Sequence, residues 1–244
     1  MKTFKMALCG LLLLPLTTVQ ADILGFTAGV EVWQGGVDAS AGNTGSRQAL
    51  TFDDDTRKAF YAAFEHPLPL LPNIAVRQQS AEYKGNTVLA GAMTLAGTSF
   101  LAKSSVTNRL SIDYTDATLY YELLDNSVLS VDMGVTARWL RTQTSIDNAA
   151  RKATTPVPML HAKGHLNILS TQTSLFFDGN YGDYSDNTVY DARVGLAYQF
   201  VDLPALNFFV KLGVQRSEID LNNEDSMDLK SVEDGVFCAL EFDF

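Results

Sequence analysis

Apolar and polar residues alternate with a period of two along most of the chain, the spacing of a strand whose two faces meet different surroundings. In "LGFTAGVEVW", Leu24, Phe26, Ala28, Val30 and Val32 share one parity, and Thr27, Gly29 and Glu31 the other. "AFYAAFE" sets Phe60, Ala62 and Phe64 against Tyr61 and Glu65, and "DATLYYEL" sets Ala117, Leu119, Tyr121 and Leu123 against Asp116, Thr118, Tyr120 and Glu122. "LSVDMGVTARW" opposes Val131, Met133, Val135 and Trp139 to Asp132, Thr136 and Arg138. "LHAKGHLNI", "TSLFFDGNY", "YDARVGLAYQF", "LNFFVKLGV" and the terminal "VFCALEFDF" repeat the pattern, while "IAVRQQSAEY" shows it weakly. About ten strands follow.

Segments of roughly ten residues with one apolar and one polar face are the signature of a transmembrane β-barrel. The expected fold is therefore all-β: an antiparallel up-and-down transmembrane barrel of about ten strands. A soluble sandwich or lipocalin-like barrel would put the aromatic faces inside, but so many apolar faces exceed what a core of this size needs. One parity conflict stands out: Leu110, Ile112 and Tyr114 are even-numbered, whereas Ala117 to Leu123 are odd. Either a bulge near Thr115 or an end to the membrane-spanning part at Asp116 reconciles them. Short connections ("EHPLPLLPN", "LLDNSV", "NILST", "VDLPAL") alternate with long ones, predicted as outer loops: 35–55, 85–105, 145–156 and 219–231, with 181–187 intermediate. The last strand must then pair with the first, because lipid cannot satisfy an open sheet edge. Phe244 is expected in an aromatic girdle with Tyr121, Tyr198 and Phe200.

The N-terminus changes the setting. "MKTFK", an apolar run of about a dozen residues and a small residue at Ala21 read as a secretory signal peptide over 1–21, leaving 22–244 as one barrel domain. Cys9 would suit a lipid anchor, but Leu8 occupies a position where such signals want a small residue. Of the 18 basic and 28 acidic residues, Lys2 and Lys5 leave with the signal, so 16 basic residues remain and the mature charge is about −12. Such acidity argues against nucleic acid as a partner. Cys238 would be the one cysteine left, so no internal disulfide forms.

Four stretches, "ILGFTAGVEVWQG", "FEHPLPLLPN", "TLYYELLDN" and "PVPMLHAK", resemble a family of proteobacterial outer-membrane β-barrel proteins without an established activity. The resemblance spans the mature chain and is most specific in the EHP-x-P-x-x-PN turn. It implies a barrel in the cell outer membrane and no catalytic residue. The terminal Phe244, with Phe242 and Leu240 at alternate positions before it, is similar to the assembly signal of such proteins, which implies the barrel-assembly machinery as a partner beside outer-membrane lipid and lipopolysaccharide.

The candidate chemistry is a lumen charge network: Glu31, Arg77, Glu122, Asp132, Arg138, Lys163, Asp191, Arg193, Lys211 and Glu241 all carry the inward parity. A barrel of this strand count has an interior that side chains nearly fill. Each of Arg138 and Arg193 is expected to find a carboxylate there. The leading function is thus a structural or surface-interaction barrel with a largely filled lumen. The alternative is a narrow passive channel for small solutes, and a hydrolase comes third. Outer-membrane proteases need Asp pairs and a His near the exterior rim, whereas His66 falls in a near-side turn and His161 and His165 within a strand. Asp53, Asp54, Asp55, Asp220, Glu224, Asp225 and Asp228 could offer oxygens to Ca²⁺ or Mg²⁺, but solvated acidic loops explain them as well. No metal or cofactor is assigned. "VLAGAMTLAGTSFLA" is too apolar to sit in water and is expected to extend its hairpin, cover the barrel mouth, or contact lipid or a partner.

Overall fold

The computed structural model describes residues 24–68, 70–203 and 206–244. The signal-peptide expectation for 1–21 lies outside them, as do Pro69, Pro204 and Ala205 of the short turns. Among the described residues, ten strands make the barrel: β1 (Gly25–Asn43), β3 (Asp55–Glu65), β4 (Asn73–Val88), β7 (Ser105–Asp125), β8 (Leu129–Ile146), β9 (Ala149–Asn167), β10 (Thr173–Tyr184), β11 (Asn187–Leu203), β12 (Leu206–Glu224) and β13 (Met227–Asp243). β2 (Ser46–Leu50) folds back on the upper part of β1, and β5 (Met93–Leu95) and β6 (Thr98–Phe100) form a separate small hairpin. Neighbours in sequence pair antiparallel throughout, and β13 returns to β1. That last seam runs without a break from Thr27↔Asp243 to Asn43↔Met227. Phe26 and Phe244 extend it by exchanging backbone hydrogen bonds of 3.1 and 2.9 Å. No sheet edge is left for lipid at the closure.

The strands are longer than the alternation suggested because polarity inverts partway along them. On the near half, where β1 starts and β13 finishes, the outward residues are apolar. Phe26, Val30 and Val32 of β1, Val131, Met133, Val135 and Trp139 of β8, and Val236 and Leu240 of β13 all project outward. At a tilt near 40°, the run from Val131 to Trp139 climbs roughly 20 Å, about the height of a hydrocarbon band. Beyond it the exterior becomes polar, with Gln34, Lys58, Gln78, Arg141, Thr154, Arg216 and Asp234 at the first or second position above the band. The inward parity becomes apolar over the same stretch. This resolves the conflict in β7: pairing with both β4 and β8 passes through Thr115 without a shift, so there is no bulge there. Leu110, Ile112 and Tyr114 point inward, above the band, while Leu119 and Tyr121 point outward within it. The register shift in β7 lies instead at Glu122/Leu124, near the turn.

The expected long outer loops are corrected by the same observation. Most of 35–55, 145–156, 181–187 and 219–231 is strand, and the far-end connections β10–β11 and β12–β13 are two-residue turns. Ser185 and Asp186 have φ of 53° and 66°, and Asp225 and Ser226 of 49° and 62°. Positive φ at both central residues matches the right-handed twist of the flanking strands. Polar exterior residues there had read as loop because a strand leaving the membrane exchanges an apolar outer face for a wetted one.

The far half is filled like a soluble barrel. Val37, Leu50, Tyr83, Val106, Leu110, Ile112, Leu140, Ile146, Val189, Ile219, Leu221 and Leu229 form one apolar cluster across it. The segment 88–102 completes this core: Leu89, Met93 and Leu95 are 1%, 4% and 0% exposed inside it, and Phe100 packs against it. Of the placements open to that segment, it takes the barrel mouth. Burying each of these side chains contributes about 1.5–3 kcal/mol, which outweighs leaving them wet on a loop. Inward glycines make room below. A Cβ on Gly235 would lie 2.0 Å from Trp33 Nε1, and one on Gly29 would lie 2.2 Å from the Tyr61 ring. Each large aromatic lies over a neighbour that has no side chain.

Candidate functional site: the lumen

Three layers follow one another from the near end. Lowest is a polar cavity of about 100 Å³, lined by Tyr61, Tyr120, His161, Lys163, His165 and Lys211 among others. Around it, Glu31 accepts from Arg77 at 2.6 Å and from Arg193 at 2.9 Å, and Arg193 also donates to Asp178. Glu241 accepts from Lys211 at 2.5 Å and from the Tyr61 hydroxyl at 2.9 Å. Lys163 sits 3.5 Å from Asp132, and Glu122 accepts from Asn73 at the near end. Glu31, Glu241, Arg193 and Lys211 come from β1, β13, β11 and β12, so the closing seam and its neighbours build this layer.

The second layer closes the lumen. Arg138 of β8 donates to both oxygens of Asp116, at 2.7 and 2.6 Å, and to Asp191 at 2.6 Å. Its guanidinium carbon stands 3.9 Å from the Tyr114 ring centroid. From Asp191 the chain of bonds continues: Asn180 donates to it at 3.1 Å, and the Asn180 carbonyl accepts from Thr136 at 2.9 Å and from His161 Nδ1 at 3.0 Å. Across the barrel Arg57 pairs with Glu233 and lies against the rings of Trp33 and Tyr83. Arg57 and Arg138 are each 1% exposed. Such charges are held because each meets an opposite charge and because an arginine offers a flat cationic face to an aromatic ring. The third layer is the apolar core described above.

Nine of the ten residues read as lumen charges lie on the inward face with an ion-pair partner, whereas Glu122 is exposed at the near end, where it accepts from Asn73. Arg138 does not pair with Asp132, its neighbour along the strand, but with acids on β7 and β11. Reasoning from sequence missed Arg57 and Glu233 because the fitted strands began at Ala59 and Val236. Carrying the inward parity two residues back from Ala59, and back through Gly235 from Phe237, would have found both. Asp116 and Asp178 carry the inward parity too and belong to the same network, paired with Arg138 and Arg193. On the terminal strand, Leu240 and Phe242 face outward, and Phe242 lies 4.9 Å from Phe208 between ring centroids. Phe244 lies 6.0 Å from Phe26, and Tyr121 on β7 and Tyr198 and Phe200 on β11 are exposed at the same end of the barrel. The acidic residues weighed for cations behave differently from one another. Asp53, Asp54 and Asp55 are exposed, Asp220 pairs with Arg47 and Lys230, and Glu224 accepts from Thr155 and Asn187. Among the described residues, no three acid, His or Cys side chains converge as a metal site.

No family model matches the chain, and no curated relative matches it. Solved structures do resemble it. The outer membrane protease OmpT from Escherichia coli aligns with a TM-score of 0.60 at 11% identity, over 93% of this chain and 99% of its own. The translocator domain of autotransporter NalP from Neisseria meningitidis aligns at 0.39 and 12% identity, over 88% and 87%. Neisserial surface protein A aligns at 0.34 and 12%, over 88% and 95%. The OmpT likeness is one of fold: like that protein, this chain forms a closed antiparallel β-barrel of the outer-membrane type.

Proposed function

We propose that the protein is a sealed barrel of the Gram-negative outer membrane, exported by its N-terminal segment and working through its outer surface rather than its lumen. The near end is taken as periplasmic and the far end as external. The carrying observation is the pair of barriers in series: the buried Arg138–Asp116–Asp191 and Arg57–Glu233 layer, and above it the apolar core completed by Leu89, Met93 and Leu95. A permeating ion would have to displace paired charges and then cross an apolar plug. Planar-bilayer recording tests this: the purified, folded protein should show no steady conductance steps. Reproducible steps of uniform size would overturn it and promote the narrow-channel reading, which draws on the near-end cavity.

A hydrolase is the weakest reading. OmpT is a protease by name, but the histidines of this chain are in a near-end turn (His66) and in the lower lumen (His161, His165), away from the external rim where such chemistry would meet a substrate. The partners that fit are outer-membrane lipid, lipopolysaccharide and, during insertion, the barrel-assembly machinery. Support for the last is the outward row Leu240, Phe242 and Phe244 on the closing strand.

A further inference from the structure

Charge on the outside of the far half is uneven around the barrel. On β11 to β13 each exterior cation has a carboxylate: Arg216 binds Asp234 at 2.9 Å, and Lys230 binds Glu218 at 2.8 Å. On β4 and β7, Lys84 and Arg109 share Glu82. Lys58 of β3, Arg141 of β8 and Lys152 of β9 differ. All three are exposed, and none makes an ion pair or side-chain hydrogen bond among the described residues. Arg141 has an acid directly across the strand pair, Asp113, yet that carboxylate accepts from Ser80 on one oxygen and from Ser111 on the other. No ion pair joins Arg141 to that carboxylate, and Arg141 is left open in a chain whose net charge is −10.

Their height is the second observation. Lys58 stands two residues above the exposed Phe60, and Arg141 two above the exposed Trp139, so both occupy the first outward polar position past the apolar band. Lys152 lies one step higher, diagonal to Arg141, because Arg141 faces Thr154 and Gln143 faces Lys152. Diagonal neighbours on one sheet face are about 7–8 Å apart, close enough for two long cations to reach one phosphate. Lys58 is three strands away from Arg141, roughly 14 Å at the ordinary strand spacing. A basic side chain at this level meets the headgroup region, where phosphates attract it.

We infer that Arg141 and Lys152, with Lys58 as an outlying contact, form a docking site for the phosphate headgroup of an anionic lipid in the outer leaflet. The guanidinium takes the phosphate through paired N–H donors and the lysine adds a mobile charge. Trp139, below it, meets the upper part of the acyl chains. The inference shares the outer-membrane placement with the proposed function but not the sealed lumen, so conductance and lipid binding fail independently.

The probe is diphosphorylated lipid A, added to the folded full-length protein in a neutral detergent and read by native mass spectrometry. The wild type should retain it, and dephosphorylated lipid A should be retained at least tenfold less. The double variant R141Q/K152Q should lose retention by tenfold or more and K58Q by less, while R216Q, whose guanidinium is already paired with Asp234, leaves it unchanged. All these side chains are outside the core, and a heat-dependent gel shift confirms folding of each variant. Equal retention by R141Q/K152Q and wild type would overturn the site, as would equal losses in R216Q. Inorganic phosphate competing at the same concentration as the lipid would overturn the lipid as its occupant.

Discussion

Replacing Arg138 by glutamine should destabilise the barrel far more than any change to an exterior pair. Arg138 is buried to 1% exposure and is the cation shared by two carboxylates, Asp116 and Asp191, that are themselves 2% and 5% exposed. Without it, Asp191 retains only the 3.1 Å bond from Asn180, and Asp116 faces Asp191 with no cation between them. Removing one partner of a buried ion pair costs about 3–5 kcal/mol, since the remaining charge cannot return to water. At 1.4 kcal/mol per tenfold, that is a change of over a hundredfold in the folding equilibrium. With a slope near 2 kcal/mol/M, the urea midpoint in detergent micelles should fall by about 2 M. The triple variant R138M/D116N/D191N removes every charge and should recover part of the loss. Arg216→Gln is the control: its pair with Asp234 is exposed on both sides, and solvent and salt screen it, so the midpoint should hold. If R138Q unfolds at the wild-type midpoint, the layer does not stabilise the lumen and the argument for a seal loses its basis.

Leu95→Asp should release segment 88–102 from the mouth, because a carboxylate there replaces a fully buried leucine. On intact cells it should make that segment a protease cleavage site, and protection equal to wild type would contradict the plug. Deleting Phe244 removes both backbone bonds to Phe26 at the end of the seam and one ring of the near-end girdle. The folded outer-membrane fraction should fall, and an unchanged yield at several expression levels would count against a role in closure.

The barrel itself was legible in the chain. Alternation in "LSVDMGVTARW" and, up to the register shift after Gln199, in "YDARVGLAYQF" assigned faces that the register keeps, because a period of two leaves one set of side chains on each side of any strand. The inward parity of Glu31, Arg138 and Arg193 could be read for the same reason: a charge facing hydrocarbon at mid-depth costs about 2–4 kcal/mol. Alternation alone says that two faces differ, and not which of them is inside. Where the strands left the apolar band, Leu110 and Ile112 exchanged faces with the residues below without any break in pairing, and the polar outer surface looked like loop. Only closure of the sheet distinguishes a wetted exterior from a filled interior. Closure also joined Arg57 to Glu233 across 176 positions, and Arg138 to Asp191 across 53. Those partners share a layer because of strand tilt and shear, which act on the whole barrel and leave no trace in any single strand. The placement of Leu89, Met93 and Leu95 was decided in the same way: their apolarity demanded burial, and the assembled far half supplied the one apolar space within reach.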